Sequence, residues 1–402
     1  MTTRDVPAPA THWPTILLTA AAGTVAAFHV GKVPPALPEL RAELGLGLVL
    51  AGWVLALLHP IGAATGTTVG WFADRAGHRR TILAGLLCLA AGSALGALSG
   101  GGGMLLASRT LEGGGLIMTV VSAPGLILAA ARPADMRLAF GIWGGYMPAG
   151  TAAMMAASPP LLATVGWRGT WIAAAMLTAA VAAALARVVP RRPAGRAGTA
   201  LPLGRALLLT ARSRRAWLLA GSFCLYSMSF MTVFGFLPSF LVEEQGWSTG
   251  TAALLTALAV AANVGGNLAA GWLAQRGVPR WTLLASACLV MGIASFGIFA
   301  PALDAGARYA LCLLFSAVGG LLPATVMGSA ADAAARPDLV ASTSGLFVQG
   351  STIGQLVGPP ALATLVTAAG SWEAGAWLIG AAAAGGLAIA AALRGFERPA
   401  TA

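Results

Sequence analysis

The chain is a succession of long apolar stretches separated by short polar segments. Twelve stretches have about 20 mostly apolar residues each, the length an α-helix needs to cross the hydrocarbon core of a bilayer. They lie at 13–33, 48–71, 81–98, 104–123, 139–161, 170–189, 216–241, 251–273, 281–300, 309–327, 346–365 and 374–393. They are too long and too uniformly apolar for membrane β-strands. The pattern predicts an all-α integral membrane protein with twelve transmembrane helices, the first of them retained as a span although its length also suits a signal peptide.

The polar segments divide the chain into two halves. Six stretches precede and six follow a segment rich in Arg, Pro and Gly, so we predict an N-terminal six-helix bundle at 1–189, a basic cytoplasmic linker at 190–215 and a C-terminal six-helix bundle at 216–402. Alternate loops carry 19 Lys or Arg on one side against three on the other. Because cytoplasmic loops are enriched in these residues, both termini and the linker are expected in the cytoplasm, with the protein in the cytoplasmic (inner) membrane.

Composition agrees with a membrane protein. Charged residues make up 9% of the chain and hydrophobic residues 57%, which excludes a water-soluble or disordered protein. The net charge of +11 does not indicate nucleic-acid binding, because the arginines lie in short gaps between apolar runs. Four cysteines stand singly inside apolar runs and are interpreted as buried thiols, and no metal site is expected.

A repeated turn relates the two halves. GWFADRAGHRR runs from Gly70 to Arg80 after the second stretch, and GWLAQRGVPR runs from Gly271 to Arg280 after the eighth. The two copies lie half a chain apart and occupy the same place in their halves. Their recurrence indicates that the chain arose by duplication of a six-helix unit.

The first copy carries a family resemblance. Gly70-x-x-x-Asp74-Arg75-x-Gly77-x-Arg79-Arg80 resembles the loop signature of the major facilitator superfamily of secondary transporters. Further similar segments are Arg109-Thr-Leu-Glu112-Gly113, with Glu where the family has Gln, Gly166-Trp167-Arg168, and Gly354-Gln355-x-x-Gly358-Pro359-Pro360. The resemblance covers residues 13–394. It implies two pseudo-symmetric bundles around a central cavity that opens alternately to each side, and a monomer.

The resemblance also implies a conformational latch, made of Gly70, Asp74, Arg75, Gly77, Arg79 and Arg80. Asp74, held by Arg75 or Arg79, would meet the positive N-terminal end of the eleventh helix, near Ser342–Leu346. The alternative is an ordinary tight turn with positive-inside arginines. Two departures stand out: the second copy has Gln275 in place of Asp74, and the segment 144–150 matches the antiporter signature of the family only in part.

Glycines at intervals of four predict close helix packing. The sets are Gly62 and Gly66 in the second stretch, Gly141 and Gly145 in the fifth, and Gly350, Gly354 and Gly358 in the eleventh. Four-residue spacing places each set on one helical face without side chains. We expect these faces at the contact between the bundles, where they slide during transport; the alternative is static close packing.

Several polar residues inside the spans are candidates for the substrate or proton pathway. Arg109 and Glu112 share a face of the fourth stretch, expected near its extracytoplasmic end, either as a proton-coupling or anion-recognition element or as a mutually neutralised structural pair. His29 and Lys32 share a face of the first stretch near its outer end, where Lys32 can extend outward to the interface. The uncharged candidates for lining a cavity, or else for interhelical hydrogen bonds, are Tyr146, Tyr226, Asn263, Asn267, Gln349 and Gln355.

The function expected from these features is secondary active transport of a small organic solute by alternating access, coupled to protons. Efflux of an amphipathic drug or metabolite by antiport is favoured, and uptake of a small organic anion is the alternative. A membrane enzyme or a passive channel is less well supported, because the chain lacks HExxH and other catalytic spacings and a channel needs no repeated latch. No GxxxxGK[ST] motif is present, so the expected driving force is a proton gradient, with no cofactor. The expected partners are the solute and membrane lipid, not nucleic acid.

Overall fold

Helices account for the regular structure throughout the described part of the chain. The computed structural model describes residues 11–135, 139, 142–190, 202–336 and 339–396. The spans are α1 (Trp13–Leu44), α2 (Leu48–Ala56 and Pro60–Ala76), α3 (His78–Ala97), α4 (Gly102–Ala130), α5 and α6 (together Tyr146–Val188), α7 (Arg214–Gln245), α8 (Thr249–Gln275), α9 (Arg280–Ile298), α10 (Ala305–Gly319 and Leu321–Gly328), α11 (Val340–Ala369) and α12 (Ala374–Arg394). We call the face at which α1 begins and α12 ends the terminal face, and the other the opposite face.

The predicted twelve-helix architecture is confirmed. In the described residues, eleven continuous helices are long and apolar enough to cross a membrane. One of them, Tyr146–Val188, has 43 residues and a break at Gly166, whose φ of 64° only glycine adopts readily. The segments on either side of Gly166 are two separate spans, α5 and α6. The repeated turn also recurs in three dimensions, because α2–α3 and α8–α9 both turn at a left-handed glycine, Gly77 (φ 93°) and Gly277 (φ 82°).

The first helix is longer than its apolar pattern predicts. The predicted stretch ends at Val33, and prolines follow it, but the backbone at Lys32 is helical and its amide donates to the Phe28 carbonyl at 2.9 Å. Pro34 and Pro35 lie in the first turn of the next segment, where a missing N–H costs little. The helix therefore continues to Leu44, and Lys32 lies near its middle rather than at its outer end.

The two halves meet along several helix pairs. α11 packs along both segments of α2, α8 packs against the α5–α6 helix, and α7 packs against the second segment of α1. At the opposite face, Arg41 of α1 forms an ion pair with Glu243 of α7, with Nη1 and Oε1 2.5 Å apart. Gly52 of α2 also packs tightly there, since a Cβ on it would lie 2.9 Å from the carbonyl oxygen of Pro359. The halves are thus in contact at that face.

Only the glycine face of α2 meets the other half among the described glycines of the three sets. A Cβ on Gly62 or Gly66 would lie 3.1 Å from Thr352 or 2.9 Å from Gln349, both on α11 of the other half. The predicted role of the three α11 glycines in packing between bundles is wrong: Gly350, Gly354 and Gly358 lie against the backbone of α7 in their own half, so closely that a Cβ would clash with its carbonyl oxygens. A Cβ on Gly145 would approach only the nearby Ile142 carbonyl among the described residues, at 4.0 Å, so its predicted role in packing between bundles is also wrong, and Gly141 lies outside the described residues.

The polar segments of the terminal face are ordered by local bonds. Asp135, between α4 and α5, accepts a 2.5 Å hydrogen bond from Thr11 and pairs with Arg132, and these contacts hold the pKa of its carboxyl below its usual range. The predicted linker contains a short helix, Leu203–Ala211, while residues 191–201 lie outside the described residues.

The latch is only partly within the described structure. The side chains of Asp74 and Arg75, and Gly70 with them, lie outside the described residues. Arg79 donates to the carbonyls of Val189 (2.8 Å) and Ala186 (2.5 Å) at the end of α6, where the helix dipole favours a cation. α11 begins at Val340, close to the expected start, and the latch stays a prediction.

Candidate functional site: a buried charge cluster

Four ionisable side chains meet in the interior of the N-terminal half. His29 and Lys32 come from the middle of α1, and Arg109 and Glu112 come from α4. Their exposed fractions are 0% for His29, Lys32 and Glu112 and 1% for Arg109. We call these four residues the charge cluster. It unites the four ionisable candidates named from the sequence.

Glu112 is the centre of the charge cluster. Its Oε1 lies 2.9 Å from Nδ1 of His29 and also accepts a hydrogen bond from Nζ of Lys32. Its Oε2 accepts from Nη1 of Arg109, three residues earlier on the same helix. The carboxylate therefore bridges two cations and one imidazole. Among the described residues it is the one carboxylate that is buried.

Neighbouring helices satisfy the remaining donors. Nζ of Lys32 donates to Oγ of Ser93 on α3 at 2.6 Å and lies 4.5 Å above the ring of Trp171 on α6. Arg109 donates from Nε to the Val54 carbonyl of α2 (3.1 Å) and from Nη1 to the His29 carbonyl of α1 (2.8 Å). The charge cluster thus connects five helices of one half, and a change in its charge acts on the packing of all of them.

Glycines make room for the carboxylate. A Cβ on Gly92 of α3 would lie 2.7 Å from Cγ of Glu112, so α3 can approach α4 here only because this position lacks a side chain. Gly113 likewise lets α4 lie against the Leu58 carbonyl, at the break between the two segments of α2. Pro60, which cannot donate a backbone hydrogen bond, follows that break.

The position of Lys32 along its helix differs from the prediction. His29 and Lys32 were expected near the outer end of the first span, with extension of Lys32 to the interface as one possibility. α1 continues to Leu44, and the Lys32 side chain is fully buried, so it does not reach out of the bundle. Arg109 and Glu112 lie in the first half of α4 and are buried as well.

The charge cluster has more positive than negative charge. Among the described residues, Lys32 and Arg109 form ion pairs with Glu112 alone, and His29 adds no charge when it is neutral. A charge buried in a membrane protein costs at least about 2.5–3.5 kcal/mol unless it is paired. The arrangement is therefore sensitive to the gain or loss of one proton or of one bound anion.

The C-terminal half contains a neutral polar network instead. Nδ2 of Asn263 on α8 donates to the Tyr226 hydroxyl on α7 and to the Ser316 carbonyl on α10, both at 3.0 Å. Asn267 donates to Oδ1 of Asn263 at 2.8 Å. These bonds join three helices, which is the interhelical alternative left open by the sequence.

The remaining candidates are dispersed. Gln349 donates to the Ala63 carbonyl of α2 at 3.3 Å, across the contact between the halves. Gln355 donates to Ser351 at 3.0 Å within α11. Tyr146 stacks on Trp143 with ring centroids 4.1 Å apart, and both lie against Gly23 of α1. None of these three residues contacts the charge cluster in the hydrogen bonds of the described residues.

One face of α7 is an aromatic stripe. Phe223, Tyr226, Phe230 and Phe234 recur every three or four residues, and successive ring centroids lie 6.1, 5.7 and 4.5 Å apart. Phe223 and Phe230 are only half-buried. Such a surface can contact flat, apolar solutes.

Sequence reasoning missed four residues around the charge cluster. Ser93, Thr178 and Trp171 contact it directly. His59 interacts electrostatically with Arg109, and neither of its buried ring nitrogens has a hydrogen-bond partner within the described part of the chain. Hydroxyl residues are common in membrane helices, so Ser93 and Thr178 carry no signal in one sequence. His59 could have been noticed as a histidine inside an apolar stretch.

Comparison with known proteins agrees with this architecture. The family model of the Major Facilitator Superfamily matches residues 17–359. A tetracenomycin C resistance and export protein from Streptomyces glaucescens is 30% identical over 319 residues, which cover 77% of this chain but only 51%, about half, of that protein. Two crystal structures of a bacterial homologue of the human lysosomal transporter Spinster are similar in fold at 16% identity. The inward-facing, occupied form has a TM-score of 0.76 and covers 95% of both chains; the inward-facing, unoccupied form has a TM-score of 0.77 and covers 96% of this chain and 98% of that one.

The family match extends over most of the chain, and the twelve helices, the repeated glycine turn and the fold neighbours agree with it. The chain belongs to the major facilitator superfamily of multi-pass membrane transporters.

Proposed function

We propose that this protein exports an amphipathic organic compound across the cytoplasmic membrane in exchange for protons. Both termini would lie in the cytoplasm, as the arginine distribution predicts. The observation that carries the proposal is the burial of Glu112 between two cations at a junction of five helices. The 30% identity to a resistance and export protein supports the outward direction.

Protonation of Glu112 gives this junction two states. An ionised Glu112 attracts Lys32 of α1 and Arg109 of α4, and so holds these helices and α2 together. A proton on the carboxylate removes both ionic attractions and leaves two cations that repel each other. Alternating access then follows if the proton is taken up from outside and released to the cytoplasm. The compound is taken up from the cytoplasm and released outside.

The substrate class is suggested by the C-terminal half. The half-buried rings of the aromatic stripe and the uncharged Asn263 network suit an apolar compound with a few polar groups better than a multiply charged one. Tetracenomycin C, which the Streptomyces glaucescens relative is named for, is therefore a suitable first probe.

Proteoliposomes test the proposal. With an acidic lumen, wild-type protein should accumulate tetracenomycin C in the lumen, and a protonophore should abolish the accumulation. The Glu112→Gln variant, purified and reconstituted in equal amount, should retain at most roughly a tenth of the rate. Wild-type protein that moves no probe under either direction of the gradient, or moves it equally with and without a gradient, would refute proton-coupled export.

A second function, uptake of a small organic anion with protons, is favoured by the excess positive charge of the charge cluster. An anion could take the place of Glu112 on Lys32 and Arg109 while Glu112 binds a proton. In that case a radiolabelled monocarboxylate should accumulate when the lumen is alkaline, beyond the level in protein-free liposomes. The two functions thus require opposite gradients in the same assay.

A further inference from the structure

The ring of His29 is held from both sides. Its Nε2 lies 3.0 Å from Oγ1 of Thr178 on α6, and its Nδ1 lies 2.9 Å from Oε1 of Glu112 on α4. Nζ of Lys32 lies farther from Nδ1, at 3.3 Å. With the residue fully buried, these contacts determine which nitrogen carries a proton.

Thr178 selects the tautomer of His29. The Thr178 hydroxyl donates its hydrogen to the Ala174 carbonyl one turn earlier, at 2.8 Å. A hydroxyl has one hydrogen and two acceptor lone pairs, so Oγ1 is left to accept from His29. Nε2 of His29 therefore carries a hydrogen, and in a neutral imidazole Nδ1 then has only a lone pair.

A lone pair on Nδ1 cannot face an ionised carboxylate oxygen at 2.9 Å without repulsion. The contact becomes a hydrogen bond only when one proton lies between the two atoms, on either Nδ1 or Oε1. We propose that this shared position, between Nδ1 of His29 and Oε1 of Glu112, holds the proton that the transporter exchanges, and that Thr178 is a positioning residue that keeps the position available. The inference rests on the proposed function and names the proton carrier within it.

The surrounding charges fit this assignment. Lys32 on α1 and Arg109 on α4 face Glu112, and Ser93 of α3 and Thr178 of α6 bring hydroxyls. His59, at the break in α2, interacts electrostatically with Arg109. α5 packs on α1 through Thr151 and Met154 at Gly31 and through Tyr146 at Gly23. With the proton bound, the His29–Glu112 pair is neutral overall, so Lys32 and Arg109, which still contact the carboxylate, are held less strongly. After its release the pair carries one negative charge and attracts both cations more strongly.

Thr178→Val tests the positioning role, because valine keeps the shape and removes the acceptor. His29 can then take the other tautomer, donate from Nδ1 to an ionised Glu112 and need no exchangeable proton. We expect gradient-driven accumulation of tetracenomycin C to fall by roughly tenfold and to lose its pH dependence. Loss of the pH dependence is the readout that a merely structural defect would not produce, and Thr178→Ser, which keeps the hydroxyl, should behave like wild type.

A second measurement observes the tautomer of His29 in the wild-type protein. In ¹⁵N-histidine-labelled wild-type protein, the His29 signal, assigned by its loss in His29→Gln, should show a proton on Nε2, and Nδ1 should change between hydrogen-bonded states when the pH is varied. A neutral His29 protonated on Nδ1, or gradient-driven transport by Thr178→Val that equals wild type, would overturn the assignment. Wild-type protein without gradient-driven transport would instead refute the proposed function, so the two failures are distinguishable.

Discussion

At the residue scale, the charge cluster is a set of buried ions whose energies depend on one another. Removing one member of a buried pair is costly mainly because the other charge is left without a partner. Glu112 has two such partners, Lys32 and Arg109. Their effects on stability should therefore not be additive.

A double-mutant cycle measures this dependence. Glu112→Gln should destabilise the protein by roughly 3–5 kcal/mol, because two buried cations lose their carboxylate. The double variant Lys32→Met with Glu112→Gln should be more stable than Glu112→Gln alone, since one of the unpaired charges is gone. Thermal unfolding in detergent gives the order of the apparent Tm values. Additive losses in the double variant would show that the two groups do not interact.

The sequence predicts part of this site. Arg109 and Glu112 could be paired because they are three residues apart on one helix, whereas His29 and Glu112 are joined across 83 residues. The depth of Lys32 could not be inferred, since prolines that break most helices here lie in the first turn of a continuing one. Thr178 acts through a bond that depends on how α6 is rotated, and the apolar pattern of α6 does not fix that rotation.

At the element scale, glycines set the distances between helices. α11 presents Gly350, Gly354 and Gly358 to the backbone of α7 and uses Thr352 and Gln349 to meet α2 of the other half. One helix thus lies backbone to backbone on α7 inside its half, whereas its contact with α2 is close to the backbone at Gly52 and is made by side chains at Gly62 and Gly66. The side-chain part of the contact between halves is the part that can slide.

Gly354→Ala tests the tight contact. A Cβ at this position would clash with the Cys224 carbonyl oxygen, so α7 and α11 must move apart, and we expect a loss of roughly 1–3 kcal/mol. Gly265→Ala on α8 is the matched control, because a Cβ there meets no atom of the described residues within 4 Å. The apparent Tm in detergent should fall for Gly354→Ala and stay level or rise for Gly265→Ala. Equal Tm values for the two variants would contradict the packing described for α11.

The positions of the spans were predictable from hydropathy, but their partners were not. Four-residue spacing identifies a bare helical face, as at Gly354, without telling which neighbour covers it. Gly145 has the same spacing, and among the described residues a Cβ on it would approach only the carbonyl of nearby Ile142, at 4.0 Å. Contacts between helices depend on rotation and tilt, and the one-dimensional pattern does not contain them.

At the scale of the whole molecule, the halves differ in chemistry while sharing a fold. The N-terminal half contains the charge cluster, and the C-terminal half contains the neutral network of Tyr226, Asn263 and Asn267. The duplicated turn, with Gly77 and Gly277 in equivalent places, shows their common plan. We propose that the first half binds the proton and that the second contributes more of the substrate contacts.

The Arg41–Glu243 pair joins the halves at the opposite face, and a charge swap tests its role. Glu243→Arg should open that face by repulsion, and the double variant Arg41→Glu with Glu243→Arg should close it again. An exposed ion pair stabilises by at most about 1 kcal/mol, so we expect the ratio of molecules open at this face to molecules closed there to change by roughly fivefold. Alkylation of Ala51→Cys, a buried position on α2, in protein whose native cysteines are replaced by alanine, reports the opening. Unchanged alkylation in Glu243→Arg would contradict a closing role.

The central claim is that the protonation of Glu112 controls which side of the membrane the transporter opens to. Spin labels at Ala42→Cys and Glu244→Cys, both exposed and next to the Arg41–Glu243 pair, measure the separation of the halves at the opposite face. In lipid nanodiscs, pulsed electron resonance should show a short and a long distance whose populations change with pH in wild-type protein and stay fixed in Glu112→Gln. A distance distribution that does not respond to pH, or one that responds equally in Glu112→Gln, would contradict the account.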